Sequence, residues 1–91
     1  MTTTTTPREP SSSSRESQKQ VLIPIATGSD ETEVLLLATT LQRFGALVVL
    51  AAVDEPSRQC GMVGGFLVTA DIRMEEAHDY DWDCIVIPGG G

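Results

Sequence analysis

The chain has 91 residues, 41% of them apolar, and a formal net charge of −7. That length holds one domain at most, and an acidic surface repels phosphate backbones and anionic lipid, which argues against nucleic acid as a partner. No apolar run approaches the roughly 20 residues of a membrane-spanning helix, so no membrane association is expected.

Residues 1–18 read as a disordered Ser/Thr-rich tail. Thr2–Thr6 and Ser11–Ser14 are low-complexity runs set around Pro7 and Pro10, with too little apolar surface to offset the entropy of ordering the backbone. The first twenty residues are slightly basic (Arg8, Arg15 and Lys19 against Glu9 and Glu16), but they lack the amphipathic arginine pattern of an organelle leader. The acids concentrate in the remainder, which is read as one folded unit over residues 19–91.

Val21–Ile25 predicts a strand, with Pro24 near its end because proline brings no N–H to a ladder. A tight turn at Thr27-Gly28 follows. Asp30 then predicts a helix N-cap, with Glu33 at capping-box spacing. Val34, Leu37, Ala38, Leu41 and Phe44 repeat at helical intervals. Leu35 and Leu36 widen that stripe towards a second covered side. Arg43 sits in the last turn, and Gly45 supplies the left-handed stop.

Ala46–Val53 is a continuous apolar run and predicts a strand buried on both faces, as in parallel sheets. Strand, helix and strand in this order make a right-handed βαβ unit. Cys60–Thr69, with Gly61, Gly64 and Gly65, suits a short hairpin excursion ending in Phe66–Val68. Asp71 is expected to cap a short helix at Arg73–Ala77. Asp79, Asp81 and Asp83 form an acidic loop around Tyr80 and Trp82, and Cys84–Ile87 predicts another buried strand before Pro88–Gly91. A buried parallel strand needs cover on both faces, and nothing after this one supplies it. The sequence is therefore expected to be a fragment, the N-terminal half of a larger α/β sandwich.

Several residues are candidates for chemistry, each with a plainer reading beside it. Glu33 lies one turn inside a helix that opens from a strand end, where open α/β sheets build their sites. It is either the partner of Asp30 in a capping box or an acid facing such a site. Gly89 and Gly90 follow a strand and either present backbone N–H groups to an oxyanion or form a flexible turn. Cys60, among glycines, is either an exposed thiol open to redox chemistry or an ordinary cysteine beside a loop, whereas Cys84, in an apolar strand, is expected to be buried and inert. His78 is read as solvated. One histidine and two cysteines at unrelated spacing predict no metal site. The hydroxyl-rich Thr27–Thr32 turn resembles a flavin-phosphate cradle, but Asp30, Glu31 and Glu33 place negative charge where that phosphate would sit, so no cofactor is expected. Two cysteines without a repeated framework point to a reducing, cytoplasmic setting.

Three stretches together resemble the ThiJ/PfpI family, near the branch of the Parkinsonism-associated deglycase. Val21–Glu33 is similar to the family's opening strand and PxAxGSEExE-type turn. Leu41–Val53 is similar to its helix end and second strand. Ala70-Asp71, Met74–Ala77 and Tyr80–Gly90 resemble its "AD…EEA…YDxIVxPGG" segment. The resemblance implies a flavodoxin-like three-layer sandwich with a mainly parallel sheet, usually in a homodimer. It also implies a nucleophilic cysteine on a strand-to-helix elbow, acting on activated carbonyls such as methylglyoxal or their adducts on proteins, with redox-sensing or chaperone roles alongside. By the same resemblance Glu33 matches the carboxyl that hydrogen-bonds this cysteine. Beside a thiolate such a carboxyl keeps its proton, because two adjacent negative charges are costly. Gly89 and Gly90 match the oxyanion-binding glycines, and Cys60 matches a secondary cysteine near the dimer interface. This chain departs from the pattern in three places. The elbow cysteine and its neighbouring histidine are absent, Gly61-Met62 replaces Ser-Arg after Cys60, and about two residues are added before Asp71. The chain alone is therefore expected to be inactive. Two other classes remain open: a non-catalytic binding or dimerisation module, and a flavin-binding flavodoxin-like protein.

Overall fold

A computed structural model describes residues 18–53 and 56–89. The tail expected over residues 1–18 lies outside them except for Gln18, as do Asp54, Glu55, Gly90 and Gly91. The elements run β1 (Gln20–Ile25), α1 (Glu31–Arg43), β2 (Leu47–Ala52), β3 (Gln59–Gly61), β4 (Leu67–Thr69), β5 (Ile72–Arg73), a 3-10 helix at Met74–Asp79, and β6 (Cys84–Ile85). A four-stranded sheet has the order β5-β2-β1-β6, and every pairing in it is parallel. Strands β3 and β4 form a separate antiparallel hairpin. This is the α/β architecture expected, with β1 at the centre.

Side-chain alternation along β1 and β2 divides the core in two. Val21, Ile23 and Ile25 of β1 join Val48 and Ala52 of β2 under α1, which contributes Val34, Leu37, Ala38 and Leu41. Leu22, Val49 and Ala51 point to the other face, where Ile72, Ala77, Met74 and Trp82 cover them. The first face thus carries a full helix, and the second a 3-10 turn and an indole whose Nε1–H donates to Ala77 O at 2.8 Å. Phe44, read as part of the helical stripe, is instead the C-cap and is 85% exposed. The helix winds out at Phe44 before it can face the sheet, and Gly45 takes φ 88° to turn the chain into β2.

Pro24 pairs with Ala51 without breaking the ladder. In a parallel strand alternate residues turn their backbone groups to alternate neighbours. Gln20 and Leu22 accept from Asp83 N and Val86 N on the β6 side, so Pro24 turns its missing donor the same way, beyond the point where β6 pairing ends at Ile85.

Asp71 does not cap the following helix. Its carboxylate accepts Leu50 N–H at 2.9 Å, which ties the start of β5 to β2. The 3-10 helix is capped instead by Glu76, which accepts Arg73 N–H at 2.8 Å. That hydrogen bond, with the Arg73 guanidinium 3.5 Å away, holds the Glu76 carboxyl below its ordinary value of 4.5.

Candidate active site

The turn from β1 into α1 is held by its own side chains. Ser29 donates its N–H to Ala26 O and accepts Ala26 N–H on Oγ, both at 3.0 Å. Asp30 takes the N-cap position expected of it, accepting from Thr32 N at 2.9 Å and Glu33 N at 3.4 Å. Acids at a helix start are favoured by the partial positive charge of its unpaired N–H groups.

The capping box read from the Asp30 and Glu33 spacing does not close. The reciprocal arm would bring the Glu33 carboxylate back to Asp30 N–H. That N–H donates instead to Gly89 O at 3.1 Å. The Glu33 carboxylate lies over Gly89, close enough that a Cβ at position 89 would overlap it. Glu33 and Gly89, 56 positions apart in the sequence, are thus brought together at the carboxyl ends of adjacent parallel strands. Gly90 lies outside the described residues.

The exposed reading of Cys60 fails, and the burial expected of Cys84 is not found. Cys60 is fully buried, with Sγ 3.8 Å from Ile25 O, because the hairpin folds this side chain inward beneath the end of β1. Cys84 is exposed, because β6 is an edge strand with little packed upon it. Neither cysteine lies between a strand and a helix. His78 is exposed, 3.5 Å from Asp79. No group of metal-ligating side chains occurs among the described residues, and no helix among them is long and apolar enough to cross a membrane.

The flavin reading meets a geometric difficulty at this turn. Gly28 N donates to Gly61 O, Asp30 N to Gly89 O, and Thr32 N and Glu33 N to Asp30. A phosphate would have to displace these bonds and face the acids as well.

Sequence reasoning missed one contributor to the site, Glu31. Both its oxygens accept Gly64 N–H across the hairpin, at 3.1 and 2.8 Å. A groove of about 350 Å³ opens on that side of α1, lined by Val34, Leu35, Ala38, Leu50, Phe66 and Leu67 among others, and excludes Glu33 and Gly89.

Residues 19–91 match the DJ-1/PfpI family. The chain belongs to that family. Among curated DJ-1/PfpI relatives, it is 38% identical over 80 residues to Protein DJ-1 homolog B of Arabidopsis thaliana, covering 82% of this chain and 17% of that one. Protein DJ-1 homolog A of the same plant is 39% identical over 75 residues, covering 82% and 19%. Among solved DJ-1 structures, oxidized Toxoplasma gondii DJ-1 superposes with a TM-score of 0.74 at 39% identity, over 79% of this chain and 39% of that chain. The chain therefore spans less than a fifth of the length of these curated relatives and about two fifths of the solved one. The flavodoxin-like α/β fold of the DJ-1 family is the fold seen here.

Proposed function

We propose that this chain supplies the acid and part of the oxyanion-binding backbone of a DJ-1-like enzyme that acts on activated carbonyls through a cysteine outside residues 1–91. The observation that carries this reading is the open capping box: Asp30 N–H goes to Gly89 O, and the Glu33 carboxylate stands over Gly89 at a strand end. A carboxyl spent on a helix cap is not available to a substrate, and this one is free of the cap.

In the proposed reaction the cysteine thiolate attacks the carbonyl carbon of an α-oxoaldehyde, or of its adduct on a protein, and a carbon–sulfur bond forms. The carbonyl electron pair moves to oxygen, where backbone N–H groups at Gly89 and Gly90 receive the charge. Glu33 holds the proton that the thiol has lost and passes it to that oxygen, which leaves a neutral hemithioacetal and an ionised carboxylate. Cys60, buried beside Ile25, is a secondary thiol whose oxidation requires the hairpin to open.

The complete protein is read as a cytoplasmic homodimer, with roles in the response to oxidative stress. Leu35, Phe66 and Leu67, all exposed and lining one groove, support association through the α1–hairpin face. The same observation favours the second reading, a dimerisation module without catalysis.

Glu33→Gln in the complete protein separates the two. An acid in the reaction loses most of kcat on this change, whereas a residue outside it leaves kcat unaltered and shifts stability by about 1 kcal/mol or less. The 91-residue chain by itself is expected to show no turnover of methylglyoxal. Turnover that depends on Cys60 would overturn the assignment of the nucleophile.

A further inference from the structure

Glu31 and Glu33 stand two positions apart at the start of α1, about 200° around the helix axis, so they leave it on opposite sides. Glu33 goes to Gly89. Glu31 goes to the hairpin tip, where both of its oxygens receive the Gly64 amide. A hydrogen bond to an ionised acceptor is among the stronger ones. A Cβ at position 64 would overlap the Glu31 carboxylate where it now lies, so a larger residue there displaces that side chain.

The tip is itself a closed unit. Met62 N donates to Phe66 O at 2.7 Å and Gly65 N to Met62 O at 3.0 Å, with Gly65 at φ 94°. Backbone bonds then join the tip to the residues just before the helix: Gly28 N to Gly61 O at 2.8 Å, and Val63 N to Ser29 O at 2.9 Å. These fix the turn but not the first helical residues beyond Asp30. Besides its own Asp30 cap and the buried Val34, that helical turn is tied to its surroundings by Asp30 N to Gly89 O on one side and by Glu31 to Gly64 N on the other.

We infer that Glu31 is a positioning residue: by clamping the first turn of α1 to the hairpin tip, it sets where the Glu33 carboxylate lies over Gly89. The inference rests on the reading of Glu33 as the site acid. Without the clamp the helix start keeps its Asp30 cap, its bond to Gly89 O and the buried Val34, but loses its tie to the hairpin, so its first turn can shift enough to move the Glu33 carboxylate off the glycine. A misplacement of about 1 Å costs on the order of a hundredfold in rate.

The test compares Glu31→Ala, Glu31→Gln and Gly64→Ala in the complete protein. Backbone amide resonances and methylglyoxal kinetics are recorded for each, with urea midpoints measured in parallel. The clamp predicts that Glu31→Ala moves the Asp30 and Gly89 amide resonances as well as that of Gly64. It also predicts that kcat drops by about tenfold to a hundredfold with KM unchanged. Glu31→Gln, which keeps an acceptor oxygen, restores most of the rate, and Gly64→Ala reproduces the loss with Glu31 intact. Movement of the Gly64 resonance alone would overturn the inference, as would a loss of rate that only follows the unfolded fraction. Should the unsubstituted protein fail to turn over the aldehyde, the functional reading falls, while the Asp30 and Gly89 resonances still decide whether the clamp exists.

Discussion

Each of the two-residue strands β5 and β6 is preceded by an aspartate that exchanges hydrogen bonds in both directions with the strand beside it. Asp71 donates its N–H to Leu50 O at 2.8 Å and accepts Leu50 N–H at 2.9 Å. Asp83 donates to Gln20 O at 2.9 Å and accepts Gln20 N–H at 2.7 Å. The carboxylate does the work of a further ladder carbonyl, which gives a very short strand a fixed register. Asp83→Ala leaves the amide of fully buried Gln20 without this acceptor, and such a loss costs about 1–3 kcal/mol. A lower urea midpoint, followed through Trp82 fluorescence, is expected, with Asp83→Asn intermediate. At Glu76 the carboxyl titrates below its ordinary value of 4.5, chiefly because it accepts Arg73 N–H. Its contribution to stability is therefore fully present above that value and is lost as pH falls through the lowered one. Urea midpoints measured down the acid limb are expected to converge between the native chain and Glu76→Gln. The acids themselves were plain in the sequence, but their roles were not. Asp83 meets a residue 63 positions away, and no local pattern shows that an acid in a loop will close a distant ladder.

At the scale of elements, α1 was legible because its signals are local. The Asp30 cap, the apolar spacing from Val34 to Leu41, Arg43 and the Gly45 stop all stand where the periodicity put them. Strands β1 and β2 were legible as apolar runs, and the hairpin as a glycine-rich excursion between them and the acidic loop. Strand β5 was missed because two residues carry no period. The cysteine exposures were misread for a related reason: burial depends on what the rest of the fold lays over a residue, not on its neighbours in sequence. Cys60 is covered by its hairpin folding under β1, and Cys84 lies on an edge. Two glycines separate backbone strain from crowding. Gly45 has φ 88° and open space around its would-be Cβ, so Gly45→Ala costs backbone strain alone, about 1–2 kcal/mol. Gly89→Ala is expected to push the Glu33 carboxylate away, removing activity in the complete protein with a smaller loss of stability than Gly45→Ala. Paired kinetic and urea measurements on the two variants check this opposition.

For the whole molecule the decisive fact is how unevenly the sheet is covered. Among the described residues, one face carries α1 and the other a 3-10 turn with Trp82. Beside α1 the chain still exposes Leu35, Leu36, Val63, Phe66 and Leu67. Exposed apolar surface gathered in one place marks sites of association, and here Leu35, Phe66 and Leu67 line one groove between helix and hairpin. Glu31, Thr39, Gln42, Thr69 and Asp71 also line that groove, so its lining mixes apolar and polar side chains as protein interfaces do. Phe66 is 68% exposed and lies between strands, so replacing it disturbs the folded subunit little. Phe66→Asp places a carboxylate on the face proposed above for dimerisation. Burying that charge unpaired costs more than the roughly 1.4 kcal/mol that equals a factor of ten in affinity. Sedimentation equilibrium on the complete protein is therefore expected to show a dimer dissociation constant at least about tenfold higher for Phe66→Asp, with an unchanged far-UV spectrum. An unchanged constant would mean that the dimer forms through another face and that this groove serves the subunit alone.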